Sequence, residues 1–451
     1  MSKKITENRS LTGPKRRIFS GNYFDFFQNQ LDFLSECSKK YGDVVSLRFF
    51  HLPIYLINHP DLIEDVFSRQ SANFRKAKTV RTPLQKMLFG NSLLTGEGEF
   101  WLKQRRAVQP AFHQTFLADY SKIIIETTKE FISDWQDGDK RIISEDLVDL
   151  TFKIASRAFF GIEGDSEKDI IRELINSNKS IFSVQNRFNW FADNFLPTRK
   201  NLRFRKAVKD VNKLISKLIS VRKAENNNKK DLLSVLLSIK NGETEDLSEK
   251  HLRDEIITIF IAGHETTAVT LSWMWVLLAQ NPEASAKVYQ EIQENLQDKT
   301  IEFQDLSKLG YLSSVLKETL RLFPPNRSTA REAIRECKIG NFRIKAGSQV
   351  VLPQWVVHRD ENYFASANEF IPERWTKEFE RNLHKYAYFP FGGGSRICIG
   401  RSFAMMEATL IITTIAQKFQ ITLDDSNNIV PEPVILLRPK GELKTILRSA
   451  R

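Results

Sequence analysis

Cys398 lies in a loop sequence whose residue types suit the binding of a cofactor. Three glycines and Arg396 precede it, Gly400 follows it, and the apolar residues from about 399 to 419 predict a final helix. Glycines let the backbone approach a ligand closely, while a helix N-terminus and a nearby arginine favour the thiolate. A flat, anionic cofactor that takes a thiolate ligand fits this setting, and haem is the candidate. The alternative is a buried structural cysteine in a glycine-rich loop.

A second set of polar residues interrupts an apolar segment. The segment from about 254 to 280 predicts a long, mostly buried helix, with Gly263, His264, Glu265 and Thr266 at its centre. The glycine leaves room for a flat ligand, and the Thr266 hydroxyl can bond the carbonyl one turn earlier. His264 and Glu265 argue against a membrane span. The alternative is a kink whose polar groups are satisfied internally.

Two residue pairs have helical spacing. Trp101 and Arg105, four residues apart, offer an indole N–H and a guanidinium that together suit a carboxylate. Glu318 and Arg321, three residues apart, lie on one face of a helix and can pair. Seen alone, each pair is most often an ordinary solvated one.

The loop around Cys398 resembles the haem-binding loop of the cytochrome P450 family, whose pattern is Phe-x-x-Gly-x-Arg-x-Cys-x-Gly. Its five fixed positions are filled by Phe391, Gly394, Arg396, Cys398 and Gly400. The resemblance implies that Cys398 is the axial thiolate ligand of iron in haem b (iron protoporphyrin IX). It also implies that Phe391 packs near the sulfur and that Arg396 pairs with a haem propionate.

The central helix also resembles the family, in the motif Ala/Gly-Gly-x-Asp/Glu-Thr-Thr. The resemblance implies that Thr266 hydrogen-bonds dioxygen and that Glu265 relays protons, both as catalytic residues. It places Ala262 and Gly263 on one side of the haem and Gly392 on the other.

The resemblance extends to the residues expected around the haem edge. It implies that Trp101, Arg105 and Arg331 bind the propionates, although Arg327 lies close to Arg331 in the sequence. It also implies that Glu318, Arg321 and Arg374 form a buried network that supports the cysteine loop.

Composition limits the function classes. The chain has 451 residues, a net charge of +12 and a pI of about 9.4, yet its basic residues are interspersed with acidic ones. Without an arginine-rich arm, nucleic acid is the weakest partner, and an acidic electron donor suits the charge better. Cys37, Cys337 and Cys398 are far apart, which disfavours disulfides and zinc and favours a reducing, cytoplasmic location. The N-terminal sequence has no apolar core, so we expect no membrane anchor.

The patterns predict a mainly α chain with small β-sheets (α+β), and we expect the protein to be a monomer. We expect a polar, poorly ordered segment at residues 1–20 and a single domain at 21–451. The family resemblance implies a triangular helical body with the long central helix over the haem.

The predicted activity is that of a haem-thiolate monooxygenase, which inserts one atom of dioxygen into a lipophilic substrate. Electrons are expected from a ferredoxin or flavodoxin type donor with its reductase, docked near Lys103, Arg106 and Arg401. Two alternatives stay open: a peroxide-using or isomerising haem-thiolate enzyme, and a haem-binding sensor or carrier without turnover.

The substrate is not fixed by the sequence, and a fatty acid is the working hypothesis. Arg75, Lys76, Lys78 and Arg81 are candidates to attract its carboxylate, or they face solvent. The candidate apolar lining, which core packing explains equally well, is Phe74, Leu84, Leu88, Phe89, Phe182, Phe188, Trp190 and Phe191.

Overall fold

The structure is a computed structural model that describes residues 11–162, 169–170, 172–174, 177, 198–225, 231–238, 248–426 and 428–450. Helices dominate the described chain, as the α+β prediction requires. They are α1 (Tyr23–Gln28), α2 (Gln30–Tyr41), α3 (Pro60–Glu64), α4 (Pro83–Phe89), α5 (Gly98–Val108), α6 (Gln114–Phe131), α7 (Ile143–Phe160), α8 (Arg199–Glu225), α9 (Leu232–Ser238), α10 (Glu249–Gln280), α11 (Pro282–Leu296), α12 (Gly310–Leu322), α13 (Gln354–Val357), α14 (Lys377–Asn382) and α15 (Arg401–Ala416).

The strands are short and lie mainly near the two ends of the chain. They are β1 (Val44–Phe49), β2 (Leu52–Ile57), β3 (Phe74–Lys76), β4 (Lys140–Ile142), β5 (Thr329–Ala333), β6 (Cys337–Ile339), β7 (Phe342–Ile344), β8 (Gln349–Leu352), β9 (Phe419–Leu423), β10 (Pro431–Pro433), β11 (Leu437–Pro439) and β12 (Lys444–Ser449). The largest sheet has the order β1-β2-β8-β5-β3, with only the β2–β8 pair parallel. A second sheet has the order β4-β12-β9, and β10–β11 and β6–β7 are separate pairs.

The central helix α10 passes through the core. It is apolar around most of its circumference, so it is buried on most sides rather than along one stripe. It packs most extensively on α7, and Trp273 stacks on Phe323 with ring centroids 3.8 Å apart. The helix begins five residues earlier than the predicted 254, directly after Ser248, and ends before Asn281 as expected.

The structure defines the end of the final helix and the start of the described chain. The final helix ends at Ala416 instead of 419, because Phe419 already begins strand β9 and pairs with β12. Near the N-terminus, Thr12 lies beside β1, where its carbonyl accepts a hydrogen bond from the Ser46 N–H at 2.8 Å. None of the described helices has the length and apolar character needed to cross a membrane.

Candidate active site

The cysteine loop is folded tightly against the segment that follows α3. Its glycine at 394 has a φ of 66°, and a side chain there would collide with the backbone carbonyl of Phe67. The Cys398 N–H donates to the Phe391 carbonyl at 3.0 Å, and the Gly392 N–H to the Phe389 carbonyl at 2.9 Å. The loop thus fixes the position of the thiol just before α15 begins.

The Cys398 thiol borders an internal space. The residue is exposed by surface area, yet burial is the largest influence on its thiol and raises the pKa. The Gly400 amide and the positive charges of Arg105, Lys76 and Arg401 act in the opposite direction and favour the thiolate. A sulfur that is accessible but surrounded by protein is placed to bind a ligand inside the molecule.

Four cations converge near this thiol. Lys76 on β3 pairs across the sheet with Arg331 on β5, which sets both side chains on one face. Arg396 comes from the cysteine loop and Arg105 from α5. Glu97 is an acid that the described chain places among them: it pairs with Arg396 and accepts the Lys76 backbone N–H at 2.6 Å.

The electrostatics of these cations call for anionic partners. Burial, together with the neighbouring charges of Arg331 and Arg396, lowers the pKa of Lys76 to about 7. Burial, with Arg396, lowers the pKa of Arg331 to about 10. Burial also lowers the pKa values of Arg396 and Arg105. Buried cations in this excess fit a ligand with two carboxylates, as the haem propionates would provide.

Trp101 lies beside the cation cluster. Its indole N–H donates to the Leu93 carbonyl at 3.2 Å. The guanidinium of Arg396 lies 4.1 Å from the centre of its ring and that of Arg105 lies 5.7 Å away. The Trp101 ring thus lies within cation–π distance of both guanidinium groups.

The Glu318 network is confirmed and has a further member. Glu318 and Arg321 are fully buried and form a bidentate pair, with both N–O distances 2.8 Å. Arg374 donates to Glu318 at 3.0 Å, and the Trp375 indole, which the sequence analysis missed, donates at 2.9 Å. Arg321 also donates to the backbone carbonyl of His358 at 2.8 Å.

His358 links this network to the cysteine loop. Its Nε2 accepts the backbone N–H of Phe389 at 2.9 Å, two residues before Phe391. Burial and the charge of Arg321 lower the pKa of His358 to about 3, so the ring stays neutral and can accept this bond. The buried network thus holds the start of the loop.

The centre of α10 matches the local expectation at Thr266. Its hydroxyl donates to the Ala262 carbonyl at 2.8 Å, and Ala262 is exposed although most of the helix is buried. The helix therefore borders open space at Ala262. Gly263 has a close neighbour on α7, since a side chain there would lie 2.9 Å from the Phe159 ring. His264 is buried, with Nδ1 2.8 Å from the Phe260 carbonyl, which agrees with a packing role.

The candidate substrate residues are only partly placed. Arg75, Lys78 and Arg81 all pair with Glu332, so one carboxylate is shared by three cations and compensates only part of their charge. Leu84, Leu88 and Phe89 are buried in the main core, as the packing alternative holds. The candidates at 182, 188, 190 and 191 lie outside the described residues.

The sequence reasoning did not anticipate the surroundings of two residues. Lys76 was expected near a substrate carboxylate together with Arg75, but it lies in the cation cluster beside Cys398. The signal was that neighbouring residues on a strand such as β3 face opposite sides. Glu407 on α15 is fully buried, and burial raises the pKa of its carboxyl to about 8, with a partial opposing effect of Thr267. An acidic residue inside an apolar helix was the available signal.

Comparisons with known proteins agree with this geometry. The family model described as Cytochrome P450 matches residues 11–446. Cyclooctatin synthase of Streptomyces melanosporofaciens is 31% identical, over 97% of this chain and 95% of that protein. Cyclooctat-9-en-7-ol 5-monooxygenase of the same organism is 30% identical, over 91% and 89%. The solved structure of retinoic acid bound cyanobacterial CYP120A1 has 26% identity and a TM-score of 0.86, covering 98% of this chain and 100% of that one.

Proposed function

Because this chain belongs to the cytochrome P450 family of haem-dependent monooxygenases, we propose that it inserts one oxygen atom into a lipophilic organic substrate with electrons from a separate protein. The observation that carries the assignment of the site is the cation cluster beside Cys398. Cys398 would hold the haem iron as thiolate, and Lys76, Arg105, Arg331 and Arg396 would neutralise its propionates. Haem bound in this way supplies the activation of dioxygen, for which proteins have no side-chain equivalent.

Thr266 and Glu265 are the proposed catalytic residues. The Thr266 hydroxyl donates a hydrogen bond to the Ala262 carbonyl, so its oxygen keeps lone pairs that can accept a hydrogen bond from the open side. Glu265, the neighbouring carboxyl group, would deliver protons toward that hydroxyl. This role rests on their position in the matched motif and on the exposure of Ala262 one turn away.

Turnover with dioxygen tests this proposal. Wild-type protein with a surrogate ferredoxin and reductase is expected to give hydroxylated product. Thr266→Ala should keep the carbon monoxide difference band but yield less product per electron consumed. Product formation with peroxide alone would favour the peroxide-using alternative, and haem binding without any turnover would favour a sensor or carrier. An unchanged yield in Thr266→Ala would remove Thr266 from the mechanism.

The electron donor is proposed to be a ferredoxin or flavodoxin type protein that docks on an exposed basic surface. Lys103 and Arg106 are exposed on α5, the helix that carries Arg105, and Arg401 is exposed three residues after Cys398. Charge reversal at Lys103 and Arg106 should lower the rate at which the donor reduces the haem. Added salt should lower the same rate in the wild-type protein. Reversal at Lys338, an exposed lysine on β6, is the matched control. A rate that is indifferent to both changes would contradict this docking surface.

For the substrate, we propose a lipophilic molecule, within which a fatty acid is one class to test. A relative named for cyclooctat-9-en-7-ol and a structural neighbour that holds retinoic acid support the broader class. Arg75, Lys78 and Arg81 share the single carboxylate of Glu332, so the group keeps positive charge and a substrate carboxylate stays one possibility to test. Spectral titration with fatty acids, terpenes and steroids tests this, and fatty acids that leave the Soret band unmoved would be excluded.

Location and assembly are also proposals. All three cysteines are free thiols, which supports a reducing compartment and the expected cytoplasmic location. A monomer is expected, and sedimentation of the purified protein would test it.

A further inference from the structure

One edge of the protein exposes large apolar side chains. Ile18 is 84% and Phe19 is 87% exposed, whereas the next most exposed large hydrophobic residue in the described chain is Leu202, at 52%. Phe50, in the turn between β1 and β2, is 47% exposed, and its N–H donates to the Ser20 carbonyl beside Phe19 at 3.1 Å. Ile18, Phe19 and Phe50 are called the apolar tip below. Exposed apolar groups gathered at one place mark an interaction surface.

The apolar tip is held in a fixed conformation. Arg17 and Gly21 exchange two backbone hydrogen bonds of 3.0 Å, which close the turn that carries Ile18 and Phe19. The Arg48 guanidinium donates to the carbonyls of Arg17 at 2.9 Å and Ile18 at 2.7 Å. A side chain at Gly21 would collide with the Arg48 carbonyl, so this turn requires glycine.

Phe50 is held at the same edge as Ile18 and Phe19. It lies in the tight turn between β1 and β2, where its φ is 53°. Its ring packs on that of Tyr23, with centroids 4.9 Å apart, and stays 47% exposed.

The charges beside the apolar tip identify the kind of partner. Lys15, Arg16 and Arg17 are consecutive and exposed, and Asp25 compensates only Arg17, at 2.6 Å. Arg16 donates to the Ser46 hydroxyl at 2.8 Å, which holds its side chain at this edge. Basic residues next to exposed aromatic and aliphatic ones suit the boundary of an anionic bilayer, where headgroups take the cations and acyl chains take the apolar groups. A second copy of the chain would bring like charges together.

We propose that the apolar tip and the basic residues 15–17 dock the protein reversibly on an anionic lipid surface. Such contact reaches only the headgroup and upper acyl region, so it agrees with the helices described above, which do not span a membrane. It does not depend on which substrate is oxidised.

Vesicle co-sedimentation tests the proposal with the haem-loaded full chain. We expect binding to vesicles of phosphatidylcholine mixed with phosphatidylglycerol, weaker binding to pure phosphatidylcholine, and weaker binding at high salt. The double variant Ile18→Ser/Phe19→Ser should lower the affinity about tenfold or more. Lys15→Glu should weaken binding to the anionic vesicles only. Ile334→Ser, which removes an exposed hydrophobic residue on another surface, is the control and should bind like wild type.

A gain-of-signal variant guards against misfolding. The fluorescence of the tryptophan added in Phe19→Trp should be quenched by brominated phospholipid in the mixed vesicles. The carbon monoxide difference spectrum of this variant should be unchanged. The proposal is overturned by equal binding to neutral and anionic vesicles, by no binding, or by a Phe19→Trp signal that the brominated lipid leaves unquenched. Dimerisation that Ile18→Ser/Phe19→Ser abolishes, without vesicle binding, would also overturn it by assigning the tip to a second copy.

Discussion

Substituting Glu407 by glutamine should stabilise the protein increasingly as the pH rises. The Glu407 carboxyl is fully buried on α15, and neither of its oxygens has a hydrogen-bond partner of normal length among the described residues. Burial raises its pKa from an ordinary value of 4.5 to about 8, and the Thr267 hydroxyl offsets only part of this. Glutamine has nearly the same shape but no titrating proton.

The sign and size follow from proton linkage. Below pH 4.5 the carboxyl is protonated in both the folded and unfolded states, so it makes no pH-dependent contribution. Between the two pKa values only the unfolded chain releases the proton, and folding stability falls by about 1.4 kcal/mol per pH unit. At pH 7 the wild-type protein has thus lost about 3 kcal/mol relative to acid conditions. Above about pH 8 the folded state ionises as well and the loss levels off.

Urea unfolding of both proteins at several values between pH 5 and pH 8 measures this effect. The expected observation is that the difference in free energy of unfolding, Glu407→Gln minus wild type, grows with pH. Burial also raises the pKa of Glu255 to about 8, but Glu255 titrates alike in both proteins and cancels. Glu126→Gln, at an exposed position, is the control for losing a carboxylate. A difference that stays constant over the range would refute the reasoning.

Three further outcomes follow from the site. Cys398→Ser should lose the carbon monoxide difference band from which the family takes its name, and a surviving band would mean another ligand. Arg321→Ala leaves the buried Glu318 carboxylate without its bidentate partner, so it should lower the free energy of unfolding in urea by about 3–5 kcal/mol. The control Lys317→Ala, at a partly exposed ion pair, should lower it by less than about 1 kcal/mol. Equal losses in the two variants would contradict the network. Lys76→Met should speed haem transfer to an apo-globin about tenfold, and an unchanged rate would place Lys76 outside the propionate site.

Local sequence patterns were sufficient to predict contacts between residues that lie on the same helix or loop. The three-residue spacing of Glu318 and Arg321 predicts a pair on one helical face, and the structure confirms it. The Thr266 hydroxyl bonds back to Ala262 as helix geometry allows. The glycine pattern around Cys398 matches a loop that a side chain at Gly394 would disrupt.

Contacts between distant segments were not predictable in this way. Lys76 joins the cation cluster because β3 pairs with β5, and the partner residues are far apart in sequence. The sequence suggested room for a flat ligand at Gly263, whereas the close approach of Phe159 from α7 is visible only in the structure. The Trp101 indole could serve a carboxylate or a carbonyl, and the position of Leu93 determines the bond.

The charges around Cys398 connect haem binding to folding. Lys76, Arg105, Arg331 and Arg396 bring four basic side chains together, and Glu97 is the acid that the described site places among them. Burying such an excess is unfavourable, which is why burial lowers the pKa of each of the four cations. Two propionates and a Cys398 thiolate would supply negative charge that the cluster lacks. The cofactor would therefore stabilise the fold, because the residues proposed to bind its carboxylates oppose compact folding when left without counter-charge.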